Sequence, residues 1–283
     1  NNPWGPFEEC PYNPILSHVE KIAQSNPIQC TGHLDLIQAH DNSWWSVFLA
    51  TRPNGQFYHL GRETFLAPVT WTRDFWPIIN GDGTVDLTMS VKTLPQTEKI
   101  EKSKHYDFKG NRIPLEWNSY RNPINEVCRL DAGKLFLNCK SGKNTFVGIR
   151  QTGFDICAET EICSFPDNVG GEAGLSVHHG EHQFYNIGII KGKTGYSIIA
   201  RFRFSEVNQV YKKELPSFSK LFLRIEADKK KYVLSYSVDK KSWYKLGEMS
   251  TSFLAGGFSG VLIGLYNHSK AEVSFEYFDY KVK

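Results

Sequence analysis

Short hydrophobic runs, each closed by a turn-forming pair, follow one another along most of the chain and predict strands rather than helices. WWSVFLATR (44–52) is compact and apolar, ends at Pro53-Asn54-Gly55, and is followed by a second strand within 57–71. Further strands are expected at 134–139, 145–151, 154–165, 173–179, 184–192, 196–204, 220–228, 231–239, 261–268 and 271–282. Ser141-Gly142, Gly192-Lys193, Asp228 with its lysines, and Asp239-Lys240 punctuate them. The last segment alternates, with Val273, Phe275 and Tyr277 on one face and Ser274 and Glu276 on the other. So many antiparallel strands in one stretch read as a two-sheet sandwich. Only HVEKIAQ (18–24) reads as a helix, of about two turns. Residues 91–112 are charged and poor in large aliphatics, as a crossing segment would be, with a boundary expected between 90 and 105. The division predicted is 1–95 for a first unit, 96–112 for a linker and 113–283 for the sandwich.

Composition supports the β reading. The 283 residues include 7 Trp, 13 Tyr and 19 Phe against 2 Met, a balance that suits pleated, half-buried surfaces. Charge is uneven: residues 1–90 hold four Lys and Arg against nine Asp and Glu, the rest 29 against 21. Five of the seven tryptophans (Trp4, Trp44, Trp45, Trp71, Trp76) precede residue 90. Both shifts fall at the same place and point to two domains. A net charge of +3 is too small to argue for a nucleic-acid partner. No run approaches the ~18 apolar residues of a membrane-crossing helix, so no membrane partner is expected. The opening Asn1-Asn2-Pro3-Trp4 has neither Met nor a signal-like pattern and predicts a processed or trimmed start.

Candidate chemistry is sparse. Six cysteines (Cys10, Cys30, Cys128, Cys139, Cys157, Cys163) allow disulfides or buried thiols, without a C-x2-C pair that would suggest zinc. Cys157 and Cys163 on one strand would stand roughly 20 Å apart and could not bond to each other. The sequon Asn267-His268-Ser269 favours secretion. His178-His179-Gly180-Glu181-His182 matches the string of some zinc peptidases, but its strand-like flanks make it a hairpin tip. Asp82 and Asp86 lack calcium-loop spacing and fit a loop leading into a strand, and Lys229-Lys230-Lys231 fits a solvated turn.

Three strings are more specific: WGPFEECPYNPIL (4–16), NPIQCTGHLDLIQAHDNSWWSVFLATRP (26–53) and HLGRETFLAPVTWTRDFWPIINGDGTVDL (59–87). In this order they resemble glycoside hydrolase family 43, the β-xylosidase/α-arabinofuranosidase type. More loosely, EAGLSVHHGEHQFYNI and the final FEYFDYKV resemble its accessory sandwich. The resemblance implies an all-β chain: the last blades of a five-bladed β-propeller, then a concanavalin-like antiparallel β-sandwich. It implies inverting hydrolysis of xylosyl or arabinofuranosyl ends of a plant-type oligosaccharide. Such enzymes need a base and an acid carboxyl roughly 6.5–9.5 Å apart.

In the family those carboxylates precede the segment matching WGPFEE. The resemblance therefore implies no catalytic residue in this sequence, and Glu8, Glu9 and Asp35 are not promoted to the role. It also implies a partner, either a missing N-terminal propeller fragment or a second copy of the chain. His33 in TGHLD matches a histidine near the propeller axis, beside the pocket floor or a structural calcium or other ion; a purely structural histidine is the alternative. Arg62 in HLGRETF matches an arginine that reaches the pocket, with an ion pair to Glu63 or a neighbour as the alternative. Phe258 and Leu262, at the turn FSGVLIGL, correspond to a sandwich contribution to the pocket wall. Trp44, Trp45 and Trp76 either stack on sugars or pack inside the blade. A non-catalytic, lectin-like protein is the other reading of the same sequence.

Overall fold

The computed structural model describes residues 2–19, 26–91, 94–98, 101–138 and 145–283, and among these it is almost wholly β. The helix expected over 18–24, the turn at Ser141-Gly142 and Cys139 lie largely or wholly outside the described residues. The chain divides into two compact units, 1–99 and 100–283.

The first unit is a curled four-stranded antiparallel sheet, as a propeller blade requires. Its strands run in chain order, β1 (Gln29–Gln38), β2 (Trp44–Thr51), β3 (Arg62–Trp71) and β4 (Pro77–Ile79). Strand alternation sends Phe48, Ala50, Ala67 and Val69 to one face, where Ile28, Ile79 and Val85 complete a small core. The other face carries Val47 and Leu49, both half-buried, and Ile37 and Leu66, which are 51% and 41% exposed. His18 ties the covering segments together. Its Nδ1 donates to the Ile28 carbonyl at 2.7 Å and its Nε2 accepts from the Val85 N–H at 2.9 Å. Strand β1 was not legible as a strand because two bulges break its alternation.

The second unit is a two-sheet sandwich with strands β5 (Lys104–Tyr106), β6 (Asn118–Ser119), β7 (Cys128–Asp131), β8 (Lys134–Leu137), β9 (Thr145–Arg150), β10 (Ile156–Ser164), β11 (Glu172–Gly180), β12 (Gln183–Lys191), β13 (Tyr196–Phe204), β14 (Val207–Glu214), β15 (Leu221–Ala227), β16 (Lys231–Ser237), β17 (Tyr244–Ser250), β18 (Leu262–Asn267) and β19 (Val273–Val282). One sheet has the order β17-β16-β15-β10-β19-β8-β7 with β5 also paired to β19; the other is β14-β13-β12-β11-β18-β9-β6. Alternate residues of both sheets meet in the core. Leu175, Val177, Ile187 and Ile189 lie on one side and Leu221, Leu223, Ile225 and Leu234 on the other. Each such side chain contributes roughly 1.5–3 kcal/mol when buried. Residues 104–108, read from sequence as crossing segment, belong to this unit: β5 pairs with β19, and Tyr106 and Phe108 enter its core.

Strand β19 departs from simple alternation. Thr160 faces Phe278 and Ile162 faces Phe275, so one extra residue is accommodated on β19. This bulge reverses the phase. Phe278 and Tyr280 join Phe275 in the core, while Tyr277, expected beside Phe275, turns to the outer side and donates to Glu159 Oε1 at 2.7 Å. Glu159 also takes Arg224 at 2.7 Å and Lys240 at 3.3 Å. Burial pushes its carboxyl up, but the Tyr277 hydroxyl and the Arg224 guanidinium outweigh that and hold it below the usual carboxylate range.

Candidate functional site

Arg62 opens β3 at the end of the first sheet where the β2–β3 connection turns. That connection is built as its residues dictate: Asn54 and Phe57 exchange backbone hydrogen bonds around Gly55, and Gly61 supplies a positive φ of 69° just before Arg62. Arg62 lies opposite Thr51, and Thr51 lies opposite Gln29 on β1, so these three share a face. Glu63 points the other way, where Arg52 grips it with both Nε and Nη2 at 2.8 Å. Glu63, one of the partners weighed for Arg62, is thus held by Arg52. Alternation along β2 and β3 carries that information, since adjacent residues on a strand cannot share a partner on one face.

His33 sits on β1 between Gly32, opposite Leu49, and Asp35, opposite Val47. Three residues there span two on β2, and His33 itself has a left-handed backbone with φ of 51°. A second bulge holds Cys30 at φ 55°. Non-glycine residues rarely adopt this conformation, and bulges re-aim side chains at the edges of functional sites. His33 is exposed, and it lies in the half of the sheet that also holds Arg62. Glu8, Glu9 and Asp35 are exposed as well. Among the described residues no three His, Cys, Asp or Glu side chains converge as a metal site would need.

Phe258 and Leu262 belong to the second unit. Phe258 is 69% exposed on a turn whose Gly256, Gly257 and Gly260 have φ of 122°, 66° and 67°. Leu262 begins β18, half-buried, opposite His178 and Arg150. The turn is anchored by His179, whose Nε2 donates to the Gly256 carbonyl at 2.8 Å and whose Nδ1 meets the Gln183 amide at 2.9 Å. That role was missed. The adjacent glycines before an exposed aromatic were the available signal.

The histidine string is a set of structural contacts. Glu181 and His182 form the expected hairpin tip, and Glu181 pairs with Arg121 at 3.0 Å. His178, however, is buried, stacked on Phe146 at 4.5 Å and edge-on to Tyr120 at 5.0 Å. Its desolvation lowers its pKa to about 3, so the ring is neutral. The sequon has a structural use too. Asn267 is fully buried, donates to the carbonyls of Leu137 and Ala271 at 2.8 Å each, and accepts from Ser269. This removes the sequon's support for secretion. The five described cysteines carry free thiols, with Cys157 and Cys163 on one strand, β10. Among the described residues no helix is long and apolar enough to cross a membrane.

Residues 1–77 match the model of glycosyl hydrolases family 43, and 105–281 match the β-xylosidase C-terminal concanavalin A-like domain. The non-reducing end α-L-arabinofuranosidase BoGH43B of Bacteroides ovatus is 34% identical over 300 residues, covering 99% of this chain and 56% of that protein. A β-xylosidase of Bacillus subtilis is 26% identical over 320 residues, covering 99% and 58%. Among solved structures, the Bacteroides ovatus xyloglucan PUL GH43B superposes with a TM-score of 0.92 at 33% identity, over 100% of this chain and 59% of that one. The GH43 protein BlXynB from Bacillus licheniformis superposes at 0.89 and 29% identity, over 99% and 58%. The chain thus spans between 56% and 59% of the lengths of these relatives.

Proposed function

The chain belongs to glycoside hydrolase family 43, and we propose from that premise that it supplies the scaffold and far wall of the saccharide pocket in an inverting hydrolase. The substrate class is the xylosyl or arabinofuranosyl end of a plant-type oligosaccharide. The proton-handling carboxylates come from residues outside 1–283, on further propeller blades. The observation that carries the reading is Arg62 at the head of β3, in the same half of the sheet as the bulge that re-aims His33.

A guanidinium beside a carboxylate favours the ionised form that a general base needs, which is the role given to Arg62. Its guanidinium also offers donors in a fixed fork to sugar hydroxyls. His33 borders the floor of the same pocket as a hydrogen-bonding group.

Hydrolysis of nitrophenyl xyloside and arabinofuranoside, with the mass of the active species measured alongside, tests the reading. Arg62→Ala is expected to lower kcat/KM about 100-fold, the scale of losing one positioned electrostatic group. Full activity from a pure 32.3 kDa chain would overturn the assignment of the carboxylates elsewhere. An unchanged Arg62→Ala rate would overturn the site. The alternative is a non-catalytic saccharide binder, favoured by an open cleft of about 250 Å³ in the sandwich walled by Phe202, Phe204, Val207 and Phe253. Binding without hydrolysis by the completed assembly would select it.

A further inference from the structure

At the far end of the first sheet from Arg62, the β1–β2 and β3–β4 turns flank an open groove of about 470 Å³. Arg62 and Trp71 are the first and last residues of β3, a ten-residue strand, so the groove lies about 30 Å from Arg62. Its aromatic floor is Trp44 and Trp71, whose rings meet edge to face at 5.2 Å with an interplanar angle of 80°. Trp71 is 38% exposed, so part of its indole faces outward rather than into the core. The polar part of the lining comes from Asn42, Ser43, Thr70 and Ser90. Among the described residues no ionisable side chain lines it.

The local sequence holds this surface in place. Ser43 Oγ donates to Asp41 and accepts the Trp45 indole N–H at 2.8 Å, which leaves Trp45 buried behind the rim. In the β3–β4 turn, Thr72 caps Trp76, its N–H reaching the Trp76 carbonyl and its Oγ1 accepting the Trp76 N–H at 3.0 Å. The platform is therefore preorganised on strand ends rather than on a loose loop, and little ordering is lost when a ligand arrives.

We propose that this groove is a second saccharide-binding site, separate from the Arg62 end, that takes a neutral oligosaccharide chain. An indole face at a groove floor stacks on the apolar face of a pyranose or furanose ring, while amide and hydroxyl groups at the rim match sugar hydroxyls, which both donate and accept. A phosphate, a uronate or a basic peptide would find no counter-charge among the described residues that line it, all of which are uncharged. The inference does not rest on the catalytic reading, since it concerns different residues at the opposite end of the sheet.

Calorimetric titration of the full 283-residue chain with xylohexaose, in parallel with Trp71→Ala, Trp71→Phe and Arg62→Ala, tests it. Trp71→Ala is expected to weaken binding about tenfold, Trp71→Phe to restore most of the affinity, and Arg62→Ala to leave this site unaffected. Affinity should persist in 0.5 M salt, because no ion pair is involved. Affinity unchanged by Trp71→Ala, binding lost with Arg62→Ala alone, steep salt dependence, or no binding of xylohexaose by the wild-type chain would each overturn the proposal. Loss of the native circular dichroism in Trp71→Ala would move the decision to Trp71→Phe and to Asn42→Ala at the rim, where a weakening of about threefold or more by the second supports the site and unchanged affinity overturns it.

Discussion

His178 shows how far a single residue departs from the string that contains it. Read as a sequence, it belonged to a solvated hairpin tip; in the fold only its neighbours do. Its ring is stacked between Phe146 and Phe184, its Nε2 has no hydrogen-bond partner, and its pKa falls from 6.5 to about 3 because burial penalises the charged form. The stabilisation this gives is complete above about pH 6.5, where folded and unfolded chains are both neutral at this site. It is lost as the pH falls from 6.5 towards 3, because the unfolded chain takes up a proton that the folded chain does not. His178→Phe keeps the aromatic stack and removes the titration. Urea denaturation between pH 6 and 4 should show a shallower loss of stability in the variant, by up to about 1.4 kcal/mol per pH unit. Identical slopes would mean that the ring is protonated in the folded protein. Residue type and flanking pattern located the hairpin, but the aromatic slot comes from Tyr120 and Phe146, which no local pattern links to His178. Arg62 and His33 were singled out for a different reason: their strings carry the family resemblance, while the bulge that holds His33 was not readable at all.

Among the elements, those that alternate cleanly against a core were legible, and those with another job were not. Strands β11, β12, β13 and β16 fall close to their expected spans. Strand β14 escaped because all eight of its residues are exposed, which leaves no buried face for a pattern to report. Strand β19 was found but given the wrong phase beyond its bulge, since one extra residue flips every later side chain. The register of β9, β18 and β11 depends on glycines that the sequence pattern does not mark as special. Gly264 lies opposite Gly148 and Ser176, and a Cβ on it would stand 2.1 Å from the Val147 carbonyl oxygen and 2.3 Å from Gly148 Cα. Backbone cannot yield as a flexible side chain does. Gly264→Ala should therefore destabilise the sandwich by about 3 kcal/mol, read as a lower urea midpoint. Gly180→Ala beside the hairpin tip, where a Cβ meets nothing within 4 Å, should stay within about 0.5 kcal/mol. Equal effects at the two positions would remove close strand approach as the cause.

At the scale of the molecule the two units differ in how well each is filled. Among the described residues the sandwich's core cluster holds 36 buried hydrophobic residues, whereas the first unit's cluster holds seven, and Ile37 and Leu66 are exposed on its other face. The shift in charge and tryptophan near residue 90 made two units legible. The asymmetry of their cores was not, because it depends on which strand faces are covered. Burial supplies most of the stability of a fold, so the first unit should melt first. With about 0.7 kcal/mol per residue of unfolding enthalpy, calorimetry should resolve a lower transition of about 70 kcal/mol for 1–99 and a higher one of about 130 kcal/mol for 100–283. Tryptophan emission offers an independent reading, because five of the seven indoles precede residue 90 and report mainly the lower event. Far-ultraviolet circular dichroism, dominated by the larger unit, should follow the higher one. A single transition, coincident by all three probes, would show instead that the units fold as one cooperative body. If separate transitions appear, addition of the segment or second copy proposed to complete the pocket should raise only the lower one, because the face carrying Ile37 and Leu66 belongs to the first unit alone.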